Sequence, residues 1–520
     1  MLACTALVGC SNEEDLLNGE QGVAGKGEKA YLAVDLNYAG IGSRATEGEK
    51  EAETPTFAAG SAAENDVYDI TFFFFNADNT AYAVDGTNNY LVKPYEKNAE
   101  YTGDVNVEEI SNPVLLIEES QNVPPRKIVA VLNSPVKKSM ATLAALQDEF
   151  SQNTITVGEG DNAKTYFVMS NSVYKNAATG EAVVATEIPA SSICASKDEA
   201  LEAPVEIYVE RVAAKVQYAT NYGASGKFDT GITTAKGTAI YAEVTGWQVT
   251  NVKSKANLLK KIDTSWANEI YDFAWNDATH FRSYWASTTT TGDLTHPHSW
   301  NAIEGDKQTA RYYYENTDEA EGKQSQLLVT ATFVDKNGND INDQIAEWYG
   351  AKYTLDDLKI QFANAVASQI FIKTGNTAVS ITSDYITFDQ EERENTHRYL
   401  SYAKLAKSAP EGSVFVKADG KTEMSADDVN LILGAIRPAK IWKEGGYYFL
   451  NIDHLGTAEG LVRNHLYNIT VSNIDGLGTP VYDPKKIIIP ETPENDSSSI
   501  SAKINILSWK IVENNNVELK

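Results

Sequence analysis

The stretch Val67-Tyr-Asp-Ile-Thr-Phe-Phe-Phe-Phe75 decides the fold class. A β-strand sends alternate side chains to opposite faces. Four consecutive Phe residues therefore mean that both faces are covered, which places this strand centrally in a two-layer core. Upstream, Ala30 to Tyr38 alternates, with Leu32, Val34, Leu36 and Tyr38 on one face and Ala33, Asp35 and Asn37 on the other. That pattern predicts a half-buried strand. Gly40-Ile-Gly-Ser-Arg44 ends it, and Ala45 to Asp66 has no apolar period and reads as a mobile loop.

Downstream, strands are expected at Pro113–Ile117, Lys127–Leu132, Thr165–Met169, Val183–Thr186 and Val205–Tyr218. Ser139 to Phe150 predicts a helix, with Met140, Leu143, Leu146 and Phe150 on one face. The second half repeats the pattern, with strands near Ala239–Val252, Gln326–Val334 and Gln369–Lys373. Thr354-Leu-Asp-Asp357 is a capping-box variant that opens a helix with Leu355, Leu358, Phe362 and Val366 as its buried stripe. Asp335-Lys-Asn-Gly-Asn-Asp340 has its glycine two positions too early for a calcium loop, so a hairpin turn is expected there. Many short strands and few helices predict a mainly β chain of two sandwich domains in tandem with a few short helices. The boundary between them is placed near the Gly/Ser/Asp/Thr-rich stretch Asn221–Thr234. The expected parts are a leader and tether over 1–29, domains over 30–225 and 226–486, and a terminal segment over 487–520.

The chain has 520 residues, 42% of them hydrophobic and 22% charged, which suffices for sizeable cores. Its net charge of −28 repels phosphate backbones and anionic lipid, so no nucleic-acid partner is expected. The cysteines are Cys4, Cys10 and Cys194, so the body of the chain has no disulfide to lean on. No run of 18 apolar residues predicts a membrane-crossing helix.

Chemistry is sparse. The six histidines form no helical ligand pair, and His296-Pro-His298 sits in a Thr-rich loop without Cys or carboxylate partners, so no metal is expected. There is no nucleophile elbow, phosphate loop or dinucleotide fingerprint. Paired acids such as Glu391-Glu392 are uninformative in so acidic a chain. No catalytic residue and no cofactor is expected.

The N-terminal Leu7-Val8-Gly9-Cys10 resembles a bacterial lipobox, which predicts lipidation at Cys10. The run Ser11-Asn-Glu-Glu-Asp15 that follows resembles the surface-export signal of Bacteroidota lipoproteins. Gly19 to Lys29 reads as a flexible tether.

Gly445-Gly-Tyr-Tyr-Phe-Leu-Asn-Ile-Asp-His-Leu-Gly456, Val462-Arg-Asn-His-Leu-Tyr-Asn-Ile-Thr-Val471, Ile474-Asp-Gly-Leu-Gly-Thr-Pro-Val481 and Ile504-Asn-Ile-Leu-Ser-Trp509 closely resemble the Mfa-type fimbrillins, the stalk subunits of type V pili in Bacteroidales. Val209-Glu-Arg-Val-Ala-Ala-Lys-Val216, Ile128-Val-Ala-Val-Leu-Asn133 and Phe281-Arg-Ser-Tyr-Trp-Ala286 are similar to motifs of the same family. The resemblance implies two transthyretin-like β-sandwich domains and export as an outer-membrane lipoprotein. It also implies cleavage by an arginine-specific surface protease in the loop after the first strand. On this chain that bond is Arg44–Ala45, after the first arginine in the sequence.

Removing Ala30–Tyr38 would leave an open edge that templates a strand from another copy. The expected donor is the C-terminus, where Ile500, Ala502, Ile504 and Ile506 alternate with Ser501, Lys503 and Asn505, with Trp509 beyond. Ile487–Ser499, with two prolines and a serine run, reads as its hinge. The implied partners are further copies of this chain, the protease, anchor and tip subunits, and a receptor on a host or bacterial surface. The alternatives are a tip or accessory subunit of the same fold and a surface glycan-binding lipoprotein that never polymerises.

Overall fold

In the computed structural model, the structure describes residues 30–39, 60–97, 107–111, 113–117, 123–172, 174–175, 182–222, 226–261, 294–295, 300–301, 303, 309–318, 323–341, 345–393, 398–443, 445–454, 458–480, 499–508 and 511–513. The protein is mainly β, with several sheets and a few short helices.

The first sheet is built from β1 (Ala30–Ala39), β2 (Asp69–Phe75), β3 (Tyr90–Pro94), β4 (Val107–Ser111), β5 (Val114–Ile117), β6 (Lys127–Leu132), β7 (Met169–Asn171) and β8 (Val205–Arg211). Its order is β3-β2-β6-β7-β8-β1-β4, with β5 also on β1. As the four phenylalanines predict, β2 is central and covered on both sides. Phe72 and Phe74 join one core with Leu32, Val34 and Ile207, while Phe73 and Phe75 pack into another with Leu143 and Leu146. The short helices here are α1 (Ala62–Asn65), α2 (Leu143–Asp148) and α3 (Lys197–Glu202). Only α2 survives of the helix expected over 139–150. It starts at the Thr142 cap, and Phe150 lies instead in a two-residue strand paired to Asn257.

The predicted strand Val205–Tyr218 is two strands in two sheets. It breaks at Val212, and β9 (Ala213–Thr220) joins a sheet with β12 (Thr309–Tyr314), β15 (His465–Asp475), β17 (Ser499–Ser508) and β18 (Ile511–Glu513), in the order β12-β9-β15-β17-β18. The facing sheet is β10 (Phe228–Thr233), β11 (Ala239–Thr250), β13 (Gln326–Val334), β14 (Gly446–Asn451) and β16 (Thr479–Pro480), in chain order. Between the two sheets lies a core with Trp247 stacked on Tyr218 at 5.3 Å. The chain thus changes sheets at Val212, upstream of the expected boundary at 221–234. The Asp335–Asp340 stretch closes as a tight turn, with Gly338 at φ +81° and the Asp335 side chain accepting from the amides of Asn337 and Asn339.

Residues 345–442 form a further unit between the adjacent antiparallel strands β13 and β14. It has one five-stranded and one four-stranded sheet and two helices, α4 (Leu355–Val366) and α5 (Ala426–Gly434). The helix α4 begins at its predicted cap, where the Thr354 side chain accepts from the Asp357 amide, and it buries Leu358, Phe362 and Val366. The chain rejoins the sheet at Gly445-Gly446. A Cβ at either position would meet a backbone carbonyl oxygen at 2.0 Å, so only glycine fits this approach.

Candidate functional site: the first strand and its slot

Alternation puts Leu32 and Val34 inward, and both are fully buried. The strand β1 is interior to its sheet. On one side it runs parallel to β8, pairing Val34 with Val205, Asp35 with Glu206, Leu36 with Ile207 and Tyr38 with Val209. On the other it is antiparallel to β5, with Ala33 opposite Val114, and to β4, with Leu36 opposite Ser111. Withdrawing β1 would expose two backbone edges and the apolar floor formed by Ile207 and the Phe72 and Phe74 rings.

On the opposite face of β1, Ala33 is closed in as well. Ala33 is buried in a small cluster with Cys194, Ala200 of α3 and Val114. The α3 helix is fixed by a capping box in which Ser196 and Glu199 satisfy each other's backbone amides. The lone cysteine of the body thus lies against the first strand, which neither the Cys count nor its sequence neighbours reveal.

The segment that follows is pinned. Where the sequence reads as a mobile loop to Asp66, residues 61–65 form a cap and a one-turn helix. The Ser61 side chain accepts from the Glu64 amide, and the Ser61 amide donates to Glu64 Oε2 at 2.6 Å. The signature Ser61-x-x-Glu64 was available in the sequence as a capping box. Glu64 is buried, receives the Tyr312 hydroxyl at 2.6 Å and lies 2.7 Å from Lys215 Nζ. Burial alone would raise its carboxyl, but the bonds from Lys215, Tyr312 and Ser61 outweigh it and hold the pKa at about 2. The Arg211 guanidinium adds bonds to Glu64 O at 3.1 Å and to Asn65 Oδ1. Lys215 and Tyr312 belong to β9 and β12, so this anchor ties α1 to the sheet that holds those two strands.

A second junction cluster lies deeper. Lys260 Nζ sits 2.8 Å from Glu210 Oε1, and Arg463 pairs with Glu315, all four side chains being almost wholly buried. Burial pushes the Glu210 carboxyl up, with Lys260 and Arg463 pulling against it.

The expected donor strand, β17, lies antiparallel along β15. Ile500 pairs with Ile474, Ala502 with Val471, Ile504 with Ile469 and Ile506 with Tyr467. In this chain it is therefore one strand in from the margin of its sheet, with only the short β18 outside it, and it lies in a different sheet from β1. Cys10, Arg44, Ala45, Trp509 and the hinge 487–498 fall outside the described residues, as do the side chains of Leu36 and Tyr38. Among the described residues no group of His, Cys, Asp or Glu is arranged to hold a metal ion.

Residues 447–515 match a family model described as major fimbrial subunit protein type IV, fimbrillin, C-terminal. No curated protein matches the chain. Among solved structures, it is similar to a fimbrilin (FimA) from Porphyromonas gingivalis, with 11% identity, 93% of this chain and 99% of that one covered, and a TM-score of 0.35. It is also similar to the tip fimbrial protein Mfa3 from Porphyromonas gingivalis, with 9% identity, 92% and 100% covered, and a TM-score of 0.31. A third is a candidate cell adhesion protein from Parabacteroides distasonis, with 10% identity, 93% and 98% covered, and a TM-score of 0.37. The family match falls on β14, β15 and β17, the strands whose residues carried the resemblance in the sequence.

Proposed function

We propose that this chain is a stalk subunit of a type V pilus, exported as a lipoprotein through Cys10 and held at the outer membrane until an arginine-specific protease cuts Arg44–Ala45. The cut frees β1, together with the lipid, from the rest of the subunit. Another copy then places its C-terminal strand in the vacated slot, and repetition gives a fibre capped by anchor and tip subunits. The observation that carries this reading is the position of β1: an N-terminal strand, paired on both sides, whose Leu32 and Val34 are fully buried. A strand there plugs a slot that is unstable when empty. Refilling it with three or four large apolar side chains contributes about 5–12 kcal/mol before ordering costs. The rival reading, a tip or accessory subunit that accepts a strand without giving one, draws on the full-length pairing of β17 to β15 in its own sheet.

The test is Arg44→Ala. The variant is expected to stay monomeric in the outer-membrane fraction, while the parent yields fibres by electron microscopy of surface material. Fibres of the variant at the parent's abundance would remove Arg44 as the switch.

A further inference from the structure

We propose that the strand filling the β1 slot runs parallel to β8 in a single register, with Ile500, Ser501, Ala502 and Lys503 of a second copy at the positions of Leu32, Ala33, Val34 and Asp35. The inference rests on the strand-exchange reading above and names which residues of the partner meet which part of the slot.

Position 33 fixes the register. Ala33 is 1% exposed, closed in by Cys194, Ala200 and Val114. That pocket has room for a small side chain only. The residues of the last strand that alternate out of the apolar row are Ser501, Lys503 and Asn505. A lysine or asparagine there would drive an ammonium or an amide into apolar surroundings. Serine is the residue closest to alanine in size.

The apolar row fixes the direction. Parallel to β8, Ser501 at position 33 brings Ile500, Ala502, Ile504 and Ile506 to the positions of Leu32, Val34, Leu36 and Tyr38. Those last two positions pair with Ile207 and Val209, both buried. Run the other way, the same anchor brings Ser498 and Asp496 to positions 36 and 38, and the row is lost.

The charges then favour the newcomer. The resident strand sets Asp35 directly beside Glu206, a rung of two acids. Like charges on one rung destabilise a pair of strands. In the proposed register Lys503 replaces Asp35 beside Glu206, and Asn505 replaces Asn37 beside Tyr208. By backbone register, the donor therefore replaces an acid-on-acid rung with a lysine-on-acid one. This asymmetry favours exchange once the cut has made β1 free to leave.

The test is disulfide mapping in a Cys194→Ser background. Chains carrying Glu206→Cys with Lys503→Cys are cleaved, assembled and mildly oxidised. Chains carrying Glu206→Cys with Ser501→Cys or with Asn505→Cys are treated in parallel. Residues on one rung lie within disulfide reach, whereas a two-residue slip adds about 7 Å along the strand. A ladder of linked multimers on a non-reducing gel is expected with position 503 and lost with 501 and 505. A ladder from 501 or 505, or fibres that none of the three links, overturns the register and leaves strand exchange standing. Absence of fibres from the cleaved parent overturns strand exchange itself. Charge reversal is the independent arm. Glu206→Lys alone and Lys503→Glu alone are expected to slow assembly several-fold, and the double variant to restore it. Single variants that assemble at the parent rate overturn the proposal.

Discussion

The Lys215 ammonium stands 2.7 Å from the Glu64 carboxylate, joining the one-turn helix α1 to β9, the strand that follows the break at Val212. The contact has a consequence for pH. The Glu64 carboxyl is held at about 2 in the folded chain against 4.5 ordinarily. A group whose folded pKa is depressed stabilises the fold fully above its unfolded value and loses that contribution as pH falls toward the folded one. Glu64→Gln is therefore expected to cost on the order of 2 kcal/mol at pH 7. The gap to the parent should close between about pH 5 and pH 2. Urea unfolding of both proteins at pH 7, 4 and 3 measures it. A pH-independent gap would show that lost packing, not charge, is responsible.

Cys194 offers a direct view of the slot. The thiol is buried beneath Ala33 while β1 is in place. Alkylation followed by peptide mass spectrometry is expected to leave Cys194 unmodified in the uncut protein. It should become labelled after cleavage and strand release, and be protected again in fibres. Equal labelling in all three states would mean that β1 does not leave.

Truncating the plug should loosen it without touching the cut. Leu32 is fully buried in the first core, so Leu32→Ala is expected to cost about 2–5 kcal/mol in the stability of the docked strand. Amide exchange across 30–39 should accelerate, while exchange in β15 stays as in the parent. Uniform acceleration across the chain would show global destabilisation instead.

The deep junction cluster calls for a different test from the Glu64 anchor. Arg463→Met leaves Glu315 and Glu210 buried without their guanidinium, and the loss is expected to be about 3–5 kcal/mol in unfolding experiments. Pairing it with Glu315→Leu should recover most of that loss, because replacing both partners removes the uncompensated charge. A double variant no better than the single one would assign the cost to packing.

What was legible in the sequence was what local pattern determines. Lys127–Leu132 and Gln326–Val334 are strands over the residues expected, and α4 starts at its predicted cap. Leu32 and Val34 could be assigned to a buried face from alternation alone. What escaped depends on partners far away in the chain. Val205–Tyr218 reads as one strand because no Gly or Pro marks Val212, and only the separate neighbours of its halves divide it. The cover over Ala33 comes from residues about 160 positions later, and Arg463 meets Glu315 across 148 positions. The one-turn helix at Glu64 had its capping signature but no apolar period to draw attention to it.

The last strand sets the remaining test, because β17 has two claims on it. In this chain it covers β15 along ten paired residues, yet the proposed polymer needs it elsewhere. Deleting 500–520 should give a subunit that accepts a donor and cannot give one, so adding it to assembling parent protein should shorten the fibres in proportion to its share. The deletion also bares the edge of β15, whose Leu466, Tyr467 and Ile469 are buried, so the truncated chain must first show the parent's circular dichroism. Ser501→Trp provides the same test with the strand kept. In the chain's own sheet position 501 pairs with Asn473, which is only partly buried, whereas in the proposed register it meets the closed pocket under α3. A folded Ser501→Trp protein is thus expected to cap fibres as the truncation does, and fibre lengths equal to those of the parent with both variants would show that the C-terminal strand is not what links one subunit to the next.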